Sequence, residues 1–228
     1  MSIQILGVSF TPLTKEIVFT QVQVALASQK NLRIATVNPE YLLAGQGNPA
    51  FRESLQKADI RTVDGFGIEL VAWLHGVKLP RVTGADLLVS LLDLAESQSI
   101  PVAIYNKKES LSSDIDIKQA LEKQYPNLQV TYNLDPGTYS LVLCTYGAPE
   151  QELFLDTLET LGIKIGIGGA LDYLTGKQSR APLFLQSIGL EWLWRLIHQP
   201  RRIRRIRNAV ISFPFRVLRQ KENRADAS

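Results

Sequence analysis

Apolar positions in this chain fall into short unbroken runs separated by amphipathic stretches. Ile3 to Phe10, Arg33 to Val37, Ile60 to Val63, Ile100 to Tyr105, Leu128 to Tyr132, Ser140 to Thr145 and Ile163 to Ile167 read as strands. These runs mostly lack polar alternation, the pattern of strands buried on both faces. Helices are predicted between them. Thr14 caps one through about Ser28, and Pro39 starts another that breaks at Gly45-Gln46-Gly47-Asn48-Pro49 and resumes through Ala58. Others run from Ile68 to His75, from Ala85 to Gln98 behind the cap Thr83, from Asp114 to Tyr125 and from Pro149 to Leu161. Asp135-Pro136-Gly137 reads as a turn.

Strand and helix alternate throughout, which predicts an α/β fold: a Rossmann-like, mostly parallel sheet with helices on both faces. From Pro182 the texture changes. Leu183 to His198 reads as one amphipathic helix, Pro200 interrupts it, and RRIRRIRNAVISFPFRVLRQ then mixes arginine with Ile, Val and Phe. The expected division is an α/β core at 1–181 and a C-terminal helical basic appendage at 182–228.

Composition narrows the class. An apolar content of 45% with 21% charged residues is that of a soluble globular protein. The single cysteine, Cys144, excludes an internal disulfide, fits a reducing compartment and reads as a small buried hydrophobe. One cysteine and two histidines, His75 and His198, argue against a structural zinc site. The first residues lack the basic and apolar regions of a signal peptide, and no stretch reaches the ~18 apolar residues of a membrane span.

Charge is unevenly placed. Trp192 to Ser228 holds nine arginines and Lys221 against Glu222 and Asp226, so the net +3 hides a tail at +8 and a body at −5. A basic tail fits nucleic acid, a membrane surface or a solvated end. Its interleaved Trp, Ile, Val and Phe favour an anionic membrane surface over nucleic acid. Each arginine near such a surface contributes roughly 1 kcal/mol.

Four loops follow predicted strands: Thr36 to Pro39, Asp64 to Gly67, Tyr146 to Glu152 and Gly166 to Gly169. In a parallel sheet they converge on one edge, where such folds build their sites. Together they offer Thr36, Asn38, Asp64, Gln151 and Glu152 to a hydroxyl-rich ligand. Asp64 fits a general base and equally a helix cap; Asn38 also suits a helix start. Arg81 fits a diphosphate clamp and equally a surface arginine. Gly166, Gly168 and Gly169 lack dinucleotide-loop spacing, and no P-loop or nucleophile elbow is present.

TVNPEYL, DGFGIELVAW, RVTGADLL, GAPEQE and IGIGGALDYLTGKQSRAPLFLQSIGLEWLWRLIHQPRR occur in that order. With them the chain resembles the WecG/TagA/CpsF family of bacterial glycosyltransferases, from about residue 33 to 202. The resemblance implies a metal-independent, inverting transfer of a sugar from a UDP-sugar to undecaprenyl-diphosphate-linked N-acetylglucosamine. The work would be done at the inner face of the cytoplasmic membrane, in cell-surface polysaccharide or teichoic acid synthesis. N-acetylmannosamine is the implied sugar, and no cofactor is implied. The resemblance places the base on Asp64 and substrate contacts on Thr36, Asn38, Arg81, Gln151, Glu152 and Asp172. It places diphosphate and membrane contacts on Arg195, Arg201, Arg202, Arg204 and Arg205. A homo-oligomer that buries the appendage is a further expectation. Two stretches depart from the family pattern. Asn106-Lys107-Lys108-Glu109 replaces a glycine-rich turn, and only a few residues join Tyr132 to Tyr139 where the family inserts a helix. A non-catalytic relative that binds nucleotide sugar or lipid carrier is the alternative reading.

Overall fold

The computed structural model describes residues 2–133, 140–182, 184, 185, 189–198 and 203–225. The side chains of Arg195, Arg204, Arg205 and residues 220–225 lie outside that description, as do Arg201, Arg202, Pro200 and the expected turn Asp135-Pro136-Gly137.

The main sheet has six parallel strands: β3 (Leu32–Val37), β4 (Ile60–Val63), β5 (Val102–Tyr105), β6 (Val130–Tyr132), β7 (Ser140–Cys144) and β8 (Gly162–Gly166). Their order is β4-β3-β8-β7-β5-β6. The last strand therefore lies in the middle, hydrogen-bonded to β3 and β7. Alternate residues go to opposite faces, as the pleat requires. Ile34, Ile60, Val102, Leu141 and Ile163 join one apolar cluster with α1 (Lys15–Ala27), α5 (Gly84–Ser97) and α6 (Asp114–Gln124). Ala35, Val37 and Val63 face α2 (Pro39–Gly47), α3 (Pro49–Lys57) and α4 (Phe66–Leu74), while Ala103 and Val142 pack with Leu155 of α7 (Glu150–Thr157).

A charged seam lies on this second face. Arg33 and Lys164 are paired across β3 and β8 and are both buried. Arg33 donates to Ser54 of α3, its side chain lies 3.3 Å from Asp156, and it lies 3.7 Å from the buried Glu152.

Ile3 to Phe10 is not one strand of the sheet, as its apolar character suggests. It is a separate hairpin of β1 (Ile3–Ile5) and β2 (Val8–Phe10), because Leu6 and Gly7 both adopt positive φ and reverse the chain in two residues. Its apolar side chains complete the cluster around α2 and α3. The predicted helix Pro149 to Leu161 ends at Thr157, since Leu158 turns extended to reach β8. A short helix α8 (Leu171–Leu174) follows β8 after a single 3-10 turn.

The single helix expected over Leu183 to His198 is broken. Gly189 has φ +76°, and a Cβ there would lie 2.5 Å from the Phe66 ring, so only glycine fits. After that glycine a regular helix, α9, runs over Glu191–His198. Beyond it come α10 (Ile203–Arg207), a π-helical turn (Asn208–Ser212) and α11 (Phe213–Ala225). Phe213 is fully buried in the cluster formed by Val37, Leu42 and Ile68, which ties the C-terminal helices to the body. Among the described residues no helix is long and apolar enough to cross a membrane.

Candidate functional site

The carboxyl ends of β3, β4, β5, β7 and β8 border a cavity of about 710 Å³. Thr36, Asn38, Asp64 and Asp172 line it, together with Tyr41, Asn106, Lys107, Thr145, Tyr146 and His198. A second, mostly apolar groove of about 380 Å³ runs between α4 and the C-terminal helices. Asp64, Asn38 and Thr83 border both spaces, while Arg81 lines the groove alone. The segment after Gly189 stands between them: Leu190 and Trp192 face the groove, and His198 reaches the cavity.

Asp64 follows β4, and its N–H donates to the carbonyl of Val37 at 2.8 Å. It does not cap the helix it precedes; Gly65 occupies that position without a side-chain bond. Its carboxylate instead accepts from the N–H of Gly84, at the start of α5, at 3.5 Å. Favourable partial positive charge at a helix start orients a carboxylate there. Thr83 and Asp86 make a reciprocal capping box on the same helix. Burial opposes ionisation of Asp86, but hydrogen bonds from Arg180 and Thr83 outweigh it and lower its pKa. Arg180, in the RAP motif, thus holds the turn that carries Thr83 and Gly84.

Asn38 caps α2, accepting from the Tyr41 N–H at 3.1 Å. Thr36 donates its hydroxyl to the Gly166 carbonyl at 2.9 Å, joining the ends of β3 and β8. Asp172 is buried and accepts from the Ser112 hydroxyl at 2.7 Å.

Gln151 and Glu152 line neither space; both are fully buried behind the cavity wall. The Gln151 amide donates to the Tyr41 hydroxyl at 3.0 Å and to Glu152 at 3.1 Å, and its oxygen accepts from the Gly168 N–H at 3.1 Å. It therefore joins two lining elements from below. Gly166 makes room for it, since a Cβ there would lie 1.8 Å from Gln151 Nε2. Burial pushes the Glu152 carboxyl up to about 7, against the lowering influence of Gln151 and Arg33. Cys144 is buried too, its thiol pushed up to about 12 by burial, so it is an inert packing residue.

The loop after β5 was missed among the sites. Asn106 stands at a strand end like the others, and its position alone was the available signal. Its amide donates to the Ser112 carbonyl at 3.1 Å and to Asp114 at 2.8 Å, while its oxygen accepts from Ser110 and Thr145. Side-chain bonds thus fix a cavity rim where a glycine-rich turn is absent.

Among the described residues no group of three or more His, Cys, Asp or Glu is placed to hold a metal ion. The Glycosyl transferase WecG/TagA/CpsF family matches residues 3–227. The chain belongs to that family. It is a glycosyltransferase, as that membership implies. A relative from Bacillus spizizenii is 29% identical over 199 residues, which span 79% of this chain and 77% of the relative. That relative is named N-acetylglucosaminyldiphosphoundecaprenol N-acetyl-beta-D-mannosaminyltransferase. WecG/TagA/CpsF membership also accounts for the order of motifs around Asp64, which are brought together from five separate loops.

Proposed function

We infer that this chain transfers N-acetylmannosamine from a UDP-sugar to undecaprenyl-diphosphate-linked N-acetylglucosamine, with inversion and without a metal. The observation that carries this reading is Asp64, a carboxylate held on the border between a polar cavity and an apolar groove. The donor occupies the polar side, which Asn106, Thr145 and Asp172 line. The acceptor enters from the groove. Asp64 removes the acceptor hydroxyl proton as that oxygen bonds to the anomeric carbon and UDP leaves from the opposite face.

Negative charge grows on the departing diphosphate, and guanidinium groups are suited to stabilise it. Arg195, Arg201, Arg202, Arg204 and Arg205 supply these groups in this reading, while Arg81, which lines the groove, meets the acceptor's diphosphate. The same arginines, with the apolar residues between them, hold the appendage to the anionic inner face of the membrane where the lipid carrier resides. Gln151 and Glu152 act from behind the cavity, keeping its loops in place, and Thr36 on its wall ties β3 to β8.

The test is transfer from UDP-N-acetylmannosamine, beside other UDP-sugars, to a lipid-linked N-acetylglucosamine diphosphate. Asp64→Asn should slow transfer about 100- to 10,000-fold, with UDP affinity retained. Transfer by this variant at the wild-type rate would remove Asp64 from the role of base. Chelator-sensitive transfer would overturn the metal-free step.

A further inference from the structure

Helix α4 carries Phe66, Leu70, Trp73 and Leu74 at intervals that place all four on one face. That face is not packed away: Trp73 is 68% and Leu74 62% exposed. Phe66 and Leu70 form one wall of the apolar groove, opposite Leu190, Trp192, Ile206 and Val210. Asp64 and Arg81 are held close together in the groove's lining by the bridge between Val63 and Arg81, and Asn38, Glu40, Thr83 and Glu191 are its other polar lining residues. From Phe66 to Leu74 the stripe extends about 12 Å along the helix axis.

We propose that this groove binds the first isoprene units of a polyprenyl diphosphate acceptor, so that the enzyme selects its acceptor by the lipid as well as by the sugar. The inference rests on the reading above for the nature of the acceptor. The occupant must place an ionised diphosphate near Arg81, a reacting hydroxyl at Asp64 and an apolar chain along Phe66 and Leu70. A polyprenyl diphosphate sugar carries these groups covalently joined and in that sequence. A peptide or a second copy of the chain carries no diphosphate between a hydroxyl and an apolar chain. The exposed Trp73 and Leu74 continue the track outward, where the rest of the chain passes into lipid.

Two measurements on the full chain test the groove. In the first, tryptophan fluorescence is titrated with citronellyl diphosphate and, separately, with methyl diphosphate. Citronellyl diphosphate should bind at least about tenfold more tightly, as several buried methylene groups require. Leu70→Glu and Trp192→Ala should each bring the two affinities together, with UDP binding in the same samples showing that the fold is intact. Equal affinities in the wild type, or an unchanged preference in both variants, would overturn the proposal.

In the second, transfer is compared between the citronellyl and methyl esters of N-acetylglucosaminyl diphosphate. A kcat/KM ratio of about ten or more in favour of the citronellyl ester supports the groove. A ratio near one overturns it. Preferential citronellyl binding without transfer of any UDP-sugar would overturn the glycosyl-transfer reading and leave the groove standing. If Leu70→Glu abolished flotation on anionic vesicles while keeping the citronellyl preference, the face would belong to the bilayer and the proposal would fail.

Discussion

Replacing Glu152 by glutamine should change how stability depends on pH, and by an amount the burial of this carboxyl determines. Glu152 is fully buried, and its Oε2 has no hydrogen-bond partner. Arg33, at 3.7 Å, is already engaged by Ser54 and Asp156 and compensates it only weakly. Burial therefore prevails and the carboxyl titrates near 7 when folded, against an ordinary value of 4.5. Between those values the folded chain keeps a proton that the unfolded chain has released. The folded state binds more protons, so stability falls as pH rises through the window. The slope approaches about 1.4 kcal/mol per pH unit, or about 3 kcal/mol in all. The Glu152→Gln side chain is nearly isosteric and carries no titrating proton. Urea unfolding of both proteins from pH 4.5 to 8 isolates this group, because other titrations cancel in the difference. The variant should gain about 3 kcal/mol on the wild type across the series. A difference that stays flat would refute the reasoning, since it would mean that the buried carboxyl is ionised throughout.

Three other outcomes are expected. Gly166→Ala should expel the Gln151 amide, break its three hydrogen bonds and cost about 3 kcal/mol; thermal unfolding reads the loss, and a variant as stable as wild type would sink the account of Gln151. Arg180→Ala should cost about 1 kcal/mol at neutral pH. Asp86 has a lowered pKa, so that penalty should vanish as pH falls below 3.8 in chemical unfolding; a penalty that persists at lower pH would be due to lost packing instead. Phe213→Ala removes a fully buried ring, typically worth about 3–5 kcal/mol, and should free the C-terminal helices. Trypsin should then cleave at the C-terminal arginines much faster, and unchanged cleavage would show that Phe213 does not anchor them.

The parallel sheet was legible because its strands are mostly apolar on both faces; Ile60 to Val63 appears with the predicted bounds. Helix caps were legible for a related reason, since Thr14, Asn38 and Thr83 meet local backbone donors. The hairpin was not, because Leu6 carries no sign of the positive φ it adopts. Gly189 looked like an ordinary glycine within an amphipathic run until Phe66, far away in sequence, was placed against it. Thr36, Asn38, Asp64 and Asp172 reach one cavity, as strand-end positions allow. Gln151 and Glu152 are also near a strand end, yet their helix turns them inward, and residue type does not reveal that direction. The border between cavity and groove depends on the C-terminal helices, whose docking through Phe213 is a tertiary fact.

The central position of β8 has a consequence for synthesis of the chain. β3 and β7 touch the sheet's middle only through residues 162–166. Until those residues leave the ribosome, the halves carrying Asp64 and Asn106 have no shared strand to align them. A nascent chain of about 150 residues therefore presents two unpaired strand edges at once, at a stage when such edges invite wrong pairing. The cavity is therefore assembled late, and a chain stopped before Gly162 would be a candidate for chaperone capture.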